Sequence, residues 1–209
     1  MVDVSRALTA LAAERPVFHC EADFQHALGW KIRQLCPDHQ IRLEFKPPHL
    51  PKRTYVDIWV TGQHRTAAIE VKYKTRRLKT TIGGETFDLP NHHAQNVNRC
   101  SFLEDVQRLE KVVSSHRGVV GYAIFLTNDR TYWNPPTKDQ VRDVAFRLHE
   151  GRVLEGELRW AAGTAKGTME GHAHAITLNG SYRLGWRDYS ELSEDNPGKF
   201  RYLIVQVGN

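Results

Sequence analysis

An unbroken apolar run at residues 119–126 constrains the fold of this chain more than any other feature. The run holds no charged residue, so a strand built from it would be apolar on both faces. Such strands are typical of sheets that are covered on both sides. The run therefore predicts a buried strand inside the sheet.

Helical and strand-like patterns flank this run. Apolar residues at helical spacing predict helices over residues 4–14, 21–35 and 94–115. Shorter stretches predict strands over residues 41–45, 55–60, 67–73 and 202–207. The order helix, three strands, helix, strand indicates an α/β fold with one mixed sheet flanked by helices.

Two segments carry weaker patterns. Residues 76–91 contain a Gly-Gly pair and a proline but little periodicity, which predicts a mobile loop. Residues 150–190 are punctuated by glycine and predict an accessory β insertion near the C-terminus. A chain of 209 residues is expected to form a single domain. Its core is predicted at residues 19–129, completed by the C-terminal strand at 200–207.

Charge and cysteine content narrow the class of protein. Lys and Arg number 29 against 24 Asp and Glu, and this net charge of +5 favours polyanionic partners. The three cysteines are too few and too scattered for a disulfide framework, which is typical of a reducing compartment. The sequence has neither the order of a signal peptide nor an apolar run of roughly 20 residues. A soluble cytoplasmic protein with no membrane contact is expected.

Three charged residues on two neighbouring predicted strands form the strongest chemical signal. Asp57 lies in Tyr-Val-Asp-Ile-Trp-Val, and Glu70 and Lys72 lie in Ala-Ile-Glu-Val-Lys-Tyr-Lys. Side chains alternate along a strand, so Glu70 and Lys72 point to the same face. If the two strands pair through the turn at Gly62, Asp57 joins them in one polar cleft.

This trio has the chemistry of a metal-dependent hydrolase. Two adjacent carboxylates repel each other unless a cation lies between them, and Mg²⁺ suits Asp57 and Glu70. The backbone carbonyl of Val71 is a further candidate ligand. Such an ion can activate a water molecule, while Lys72 orients it and stabilises developing negative charge. These parts suffice for hydrolysis of a phosphodiester bond.

The same spacing also arises by chance. A second Glu-x-Lys occurs at Glu44 and Lys46, but Pro47 and Pro48 end its strand and no aspartate lies on a strand before it. For the trio itself, the alternative interpretation is two solvated strand faces that carry ordinary surface charges.

Three polar residues on the predicted helices extend the candidate site. Glu21 lies on the apolar stripe of its helix, where it either caps the helix or reaches over the sheet towards the metal. Gln95 and Arg99 head the apolar stripe of the long helix. They either form a polar helix start or reach into the same cleft.

Together these residues resemble the PD-(D/E)XK nuclease superfamily, which has the restriction-endonuclease-like fold. Its pattern is a helical Glu, an Asp on one strand and Glu-x-Lys on the next, and it is matched by Glu21, Asp57, Glu70 and Lys72. Val56 stands where the family name has proline. Gln95 matches a glutamine of the RecB-like subset, although Arg99 replaces the aromatic residue that usually follows it.

The resemblance covers residues 19–129 and leaves residues 150–190 unexplained. It implies cleavage of nucleic acid, usually DNA rather than RNA, with Mg²⁺ or Mn²⁺. It also implies Asp57 and Glu70 as metal ligands, Lys72 beside the attacking water and Glu21 as an accessory ligand. Cutting both strands of a duplex would favour a symmetric homodimer.

Two further patterns have both a functional and an ordinary interpretation. Lys74, Arg76, Arg77 and Lys79 form a basic run after Lys72, which either follows a phosphate backbone or is simply solvated. His172 and His174, with Glu170, share one predicted strand face. They either bind a transition metal or are surface groups, and surface groups are the commoner case.

Two rival classes of function remain at this point. One is a catalytically inactive nucleic-acid-binding or assembly module on the same fold. The other is a basic protein that binds a partner through residues 150–190, with Trp160, Trp186 and Tyr189 as exposed anchors. These three aromatic residues are expected to belong to the core instead.

Overall fold

The structure is a computed structural model that describes residues 2–48, 54–138, 141–193 and 197–208. The helices in these ranges are α1 (Val4–Glu14), α2 (Glu21–Leu35) and α3 (Gln95–Ser115). The strands before α3 are β1 (Gln40–Phe45), β2 (Val56–Thr61), β3 (Thr66–Lys74), β4 (Leu78–Ile82) and β5 (Glu85–Leu89). The strands after it are β6 (Val119–Thr127), β7 (Val153–Leu158), β8 (Ile176–Arg183), β9 (Trp186–Glu191) and β10 (Lys199–Val207).

Six strands form one central mixed sheet in the order β1-β2-β3-β6-β10-β9. The strands β1, β2 and β3 are antiparallel neighbours, β3 and β6 run parallel, and β10 is antiparallel to both β6 and β9. The predicted α/β class with a single mixed sheet is confirmed. The bounds of the predicted core helices and strands differ from the observed ones by only a few residues at their ends.

Helices cover both faces of this sheet. On one face α1 and α2 pack over a cluster that includes Ile69 and Ile124, and on the other α3 packs over a cluster that includes Ala123 and Phe125. Every residue of β6 is buried, as the apolar run predicts. A fully buried Ile or Phe contributes roughly 1.5–3 kcal/mol, so this strand anchors the domain.

The segment that was predicted as a mobile loop is a β-hairpin. β4 and β5 pair in register, and the turn between them holds Gly83 and Gly84 at φ values of 58° and 85°. Two positive φ values in a two-residue turn favour Gly, Asn or Asp at these positions, and such turns match the twist of paired strands. The Gly-Gly pair between Thr- and Phe-containing segments was therefore a hairpin signal.

The predicted accessory segment at residues 150–190 is divided in the structure. β7 and β8 form a two-stranded sheet that packs against α3, whereas β9 joins the edge of the central sheet beside β10. Trp186 and Tyr189 are buried, and the Trp160 indole packs on Phe146. These aromatic residues belong to the core, so they do not provide the exposed anchors of the partner-binding alternative. None of the described helices has the length and apolar character that a membrane span requires.

Candidate active site

β2 and β3 separate where the predicted site begins. Their antiparallel ladder ends at the pair Ile58 and Ile69, so Asp57 and Glu70 stand at a fork between the two strands. The Asp57 carboxylate accepts a hydrogen bond of 2.7 Å from the backbone N–H of Val71. A side chain thereby takes the place of a strand partner beyond the end of the ladder.

Two other groups line the same edge of β3. In an antiparallel pair the N–H and C=O of one residue project towards the same neighbouring strand, so the Val71 carbonyl faces the side of Asp57. Glu21, at the start of α2, accepts hydrogen bonds from the Tyr73 N–H at 2.8 Å and from Lys74 Nζ at 2.9 Å. Glu21 therefore reaches the edge of β3 next to the fork, where its carboxylate binds the Tyr73 backbone N–H and the Lys74 ammonium group.

Glu70 and Lys72 project from β3 towards α3 and meet two residues that the sequence interpretation did not include. Lys72 Nζ lies 2.8 Å from Asp105 Oδ2, and Glu70 Oε1 forms an ion pair at 2.9 Å with Arg108 Nε that lacks the alignment of a hydrogen bond. Arg108 also contacts Asp105. Glu70 and Asp105 are 2% and 3% exposed. One buried network of charges thus joins β3 to α3.

Asp105 has a signal in the sequence that was missed. It stands three residues after Phe102 and four before Leu109, on the buried stripe of α3. A carboxylate on such a stripe needs a partner, because an isolated buried charge is costly. The same argument had selected Glu21.

Burial and like charges raise the pKa values of the acids at the fork. Burial raises the pKa of Asp57 to about 6. The hydrogen bond from the Val71 N–H and the charge of Lys72 lower this pKa, whereas the charges of Asp105 and Glu44 raise it further. Burial also raises the pKa of Glu70 well above its usual range, and Asp105 and Asp57 add to this shift. For Lys72, burial lowers the pKa, but the surrounding carboxylates outweigh it and the pKa is raised.

The fork therefore holds an excess of acid. Three carboxyl groups (Asp57, Glu70 and Asp105) lie with two basic side chains (Lys72 and Arg108), so full ionisation leaves one negative charge without a partner. The raised pKa values are the expected result of that repulsion. A cation at the fork would relieve it, so the residues fit a metal ion.

The arrangement suits a hard ion that takes few protein ligands. Asp57, Glu70 and the Val71 carbonyl supply oxygen atoms only, the donors that Mg²⁺ prefers. Elsewhere in the described chain, three ligand atoms of Asp, Glu, His or Cys converge within 4.8 Å at a single place, which is not the fork. The carboxylates of the fork do not converge to that extent, which is compatible with Mg²⁺ because this ion usually keeps several waters and binds through one or two carboxylates.

Glu44, which the sequence interpretation dismissed, lies beside this site. The side-chain amide of Gln25 donates to Glu44 Oε1 and to the backbone carbonyl of Asp57, both at 2.8 Å. Glu44 has a positive φ of 48°, an uncommon and strained conformation for a residue other than glycine. Glu44 lacks an aspartate on a preceding strand, but Gln25 joins it to Asp57 on the strand that follows.

Gln95 and Arg99 lie outside this network. The Gln95 amide donates to Asp129 Oδ2 at 3.2 Å, beyond the end of β6. Arg99 is 3% exposed, and its guanidinium binds Asp143 at 2.9 Å and the carbonyl of Thr131 at 2.7 Å. Its charge is satisfied in the interior, so Arg99 does not present a cation to nucleic acid in this structure.

The predicted basic run leads away from the fork along β3. Lys74 is half-buried against Glu21, whereas Arg76, Arg77 and Lys79 are exposed. Arg76 is fixed through its backbone N–H, which donates to Asn128 Oδ1 at 2.7 Å. Both arginines line a cleft together with the following residues: Asn91, His93 and Pro197. The three exposed cations therefore provide a positive surface that begins near the site.

Comparison with protein-family models, with curated proteins and with solved structures gives no match.

Proposed function

We propose that this chain is a metal-dependent nuclease that hydrolyses phosphodiester bonds, with DNA as the preferred substrate. The observation that carries the proposal is the excess of buried acid at the fork, where Asp57 and Glu70 lie beside the ammonium of Lys72. Buried carboxylates with raised pKa values are costly to keep, and a site that binds a cation justifies that cost.

The order of elements supports the same proposal. A helix with Glu21 is followed along the chain by three antiparallel strands with Asp57, Glu70 and Lys72. After the β4–β5 hairpin come a long helix and a strand parallel to β3. This is the order that resemblance to the PD-(D/E)XK superfamily and its restriction-endonuclease-like core implies.

Each residue at the fork then has a chemical role. Asp57, Glu70 and the Val71 carbonyl would hold Mg²⁺ or Mn²⁺. When bound, this ion supplies a water of lowered pKa and neutralises charge on the phosphate. Lys72 would orient the water and donate to a phosphate oxygen. The water oxygen would bond to phosphorus and lose its proton to solvent, while one P–O ester bond breaks and the leaving oxygen takes up a proton from solvent. Asp105 fixes the Lys72 ammonium by the contact of 2.8 Å.

Arg108 has to leave Glu70 before that carboxylate can hold a cation. Its side chain is 33% exposed, whereas that of Glu70 is 3% exposed, so the arginine is the partner that can move. Once displaced, the Arg108 guanidinium can bind a phosphate oxygen, because this planar group presents its N–H donors in the geometry that phosphate accepts.

Exposed cations next to the site would guide the nucleic acid. Arg76, Arg77 and Lys79 can each neutralise a backbone phosphate, and release of counterions makes such binding dependent on salt. Lys74 is held by Glu21 and lies closer to the fork. The proposal for this surface is therefore binding of the nucleic-acid backbone.

A second candidate function is binding of nucleic acid without cleavage. The observation in its favour is that Glu70 pairs with Arg108 and Lys72 with Asp105, so most of the charge is neutralised within the protein. In that case the network would be a structural link between β3 and α3.

A cleavage assay separates the two candidates. End-labelled single- and double-stranded DNA and RNA are incubated with the purified chain and Mg²⁺, Mn²⁺ or EDTA. We expect metal-dependent cutting that falls by about 100-fold or more in Lys72→Ala and Glu70→Gln, as for loss of one group that stabilises the transition state. Lys111→Ala removes an exposed cation of α3 and serves as the matched control.

The alternatives give different results in this assay. Tight binding without cutting of any substrate would support the binding module. Cutting that persists in folded Lys72→Ala protein would contradict the assigned site.

A further inference from the structure

A second cluster of metal-ligand side chains lies between α3 and the loop that joins β7 to β8. Cys100 and Glu104 are four residues apart on α3 and therefore share one helix face. His172 comes from the loop at residues 159–175. The thiol sulfur, a carboxylate oxygen and an imidazole nitrogen of these residues all lie within 4.8 Å of one another.

His174 lies outside this group of three but contacts its carboxylate, and it is the candidate for a fourth ligand. The Nδ1 atom of His172 is 2.9 Å from Glu104, and Nε2 of His174 is 3.5 Å from the same carboxylate. Zn²⁺ bonds of about 2.0–2.3 Å place tetrahedral ligands roughly 3.3–3.8 Å apart, so the cluster is close to that spacing. Thiolate sulfur, carboxylate oxygen and imidazole nitrogen are all ligands of Zn²⁺, whereas a thiolate is unsuited to Mg²⁺.

We propose that Cys100, Glu104, His172 and His174 form a transition-metal site, best suited to Zn²⁺, that fastens the 159–175 loop to α3. His172 and His174 lie in a loop and not on the predicted strand face with Glu170, and residues of α3 take the place of Glu170 beside them. This site is separate from the fork, and its donors differ from those that hold Mg²⁺ in the proposed function.

The length and exposure of the loop between β7 and β8 indicate what a metal at this site would do. Seventeen residues separate β7 from β8, most of them at least partly exposed, with only a short 3-10 turn at Lys166–Thr168. Loops of this length are uncommon in compact domains and usually have a functional role or are disordered. The Trp160 indole donates to the carbonyl of His172 at 2.7 Å, which holds the histidine backbone in position. A metal bond from His172 to α3 would complete this anchor.

Cobalt absorption tests the site directly. The full chain is stripped with EDTA and titrated with Co²⁺, which gives a sulfur-to-metal charge-transfer band only when a thiolate binds it. We expect one such band per chain, lost in Cys100→Ser and retained in Cys36→Ser, a matched control with a thiol outside the cluster. Absence of the band in the wild type, or its survival in Cys100→Ser, would overturn the proposal.

Two further variants keep the test valid if Cys100→Ser is unstable. His172→Asn changes a partly exposed loop residue, so it should fold, and it should weaken Zn²⁺ binding in competition with a chromophoric chelator by at least tenfold. Unchanged affinity in this variant would contradict the assignment. Asp57→Asn should keep both the cobalt band and the Zn²⁺ affinity, so failure of this site and failure of the nuclease proposal are distinguishable.

Proteolysis of the loop tests whether the metal anchors it. Trypsin can cut at Lys166, which is exposed. We expect Zn²⁺ to slow that cut at least fivefold in the wild type and not in His172→Asn. Equal cutting rates with and without Zn²⁺ would contradict the anchoring role.

Discussion

Two buried glutamates next to α3 have opposite surroundings. Glu110, on α3, accepts hydrogen bonds from the backbone N–H groups of Asn179 and Gly180, at 2.9 Å and 2.8 Å for the shorter contacts, and from the Tyr182 hydroxyl at 2.7 Å. Glu70, on β3, has an ion pair with one partly exposed arginine, Arg108, and two acids nearby. Both side chains are largely out of contact with water.

The difference separates a structural carboxylate from one suited to binding. Fixed backbone donors satisfy Glu110 permanently and hold β8 against α3. Within the described part of the chain no backbone N–H donates to Glu70, and repulsion from Asp57 and Asp105 disfavours its charge. A bound cation would stabilise the ionised form of Glu70 more than that of Glu110, because the side chains around Glu70 supply too little positive charge.

The largest expected effect is on the structural side of this comparison. Glu110→Ala leaves two backbone N–H groups and a tyrosine hydroxyl without their acceptor, so we expect a loss of about 4 kcal/mol in the free energy of unfolding. In a chain of this size that lowers Tm by roughly 8–16 °C in calorimetry. The exposed Glu191→Ala should stay within about 0.5 kcal/mol of the wild type. A loss at Glu110 as small as this would remove the contrast.

The next effect concerns pH in metal-free protein. A raised folded-state pKa means that the contribution of Asp57 to stability is present below about pH 4 and is lost as the pH rises to about 6. We expect the wild type to lose about 3 kcal/mol relative to Asp57→Asn over this range, at about 1.4 kcal/mol for each unit of pH. The charged groups that face Asp57 include the bases Lys72 and Arg108 and the acids Glu44, Glu70 and Asp105. Urea denaturation measures the free energy of unfolding at each pH. If that free energy changes with pH in the same way in the wild type and in Asp57→Asn, the charge of Asp57 is not disfavoured by burial.

Mg²⁺ should reverse that loss. A ligand that binds only the folded state stabilises it by about 2.7 kcal/mol at 100 times its Kd. We therefore expect Tm at pH 7 to rise with Mg²⁺ in the wild type and in the surface control Glu191→Ala, and to stay constant in Asp57→Asn. An equal rise in Asp57→Asn would place the ion elsewhere.

The smallest effect sharpens the comparison most, because its sign is opposite to that of Glu110→Ala. Glu70→Gln removes a disfavoured charge, and Arg108 keeps Asp105 as a partner and is partly exposed to water. We expect metal-free Glu70→Gln to be more stable than the wild type by about 1 kcal/mol at pH 7. Urea denaturation measures the difference, and a loss of several kcal/mol would make Glu70 a structural residue like Glu110.

Much of the fold was predictable because it rests on local periodicity. The stripes of α1, α2 and α3 and the apolar run of β6 follow from spacing along the chain, and the observed elements agree with them. The β4–β5 hairpin was also encoded locally, by Gly83 and Gly84. The position of β9 was not, since its pairing with β10 depends on how the later chain returns to the sheet.

The candidate site divides in the same way. The sequence by itself determined that Glu70 and Lys72 share one face, because strand side chains alternate. Only the tertiary structure decided that β2 leaves β3 at Asp57, that Asp105 and Arg108 meet this face, and that Arg99 turns into the core. Periodicity fixes the direction of a side chain relative to its own element. The partner it meets depends on packing between segments far apart in the chain, and no local pattern contains that information.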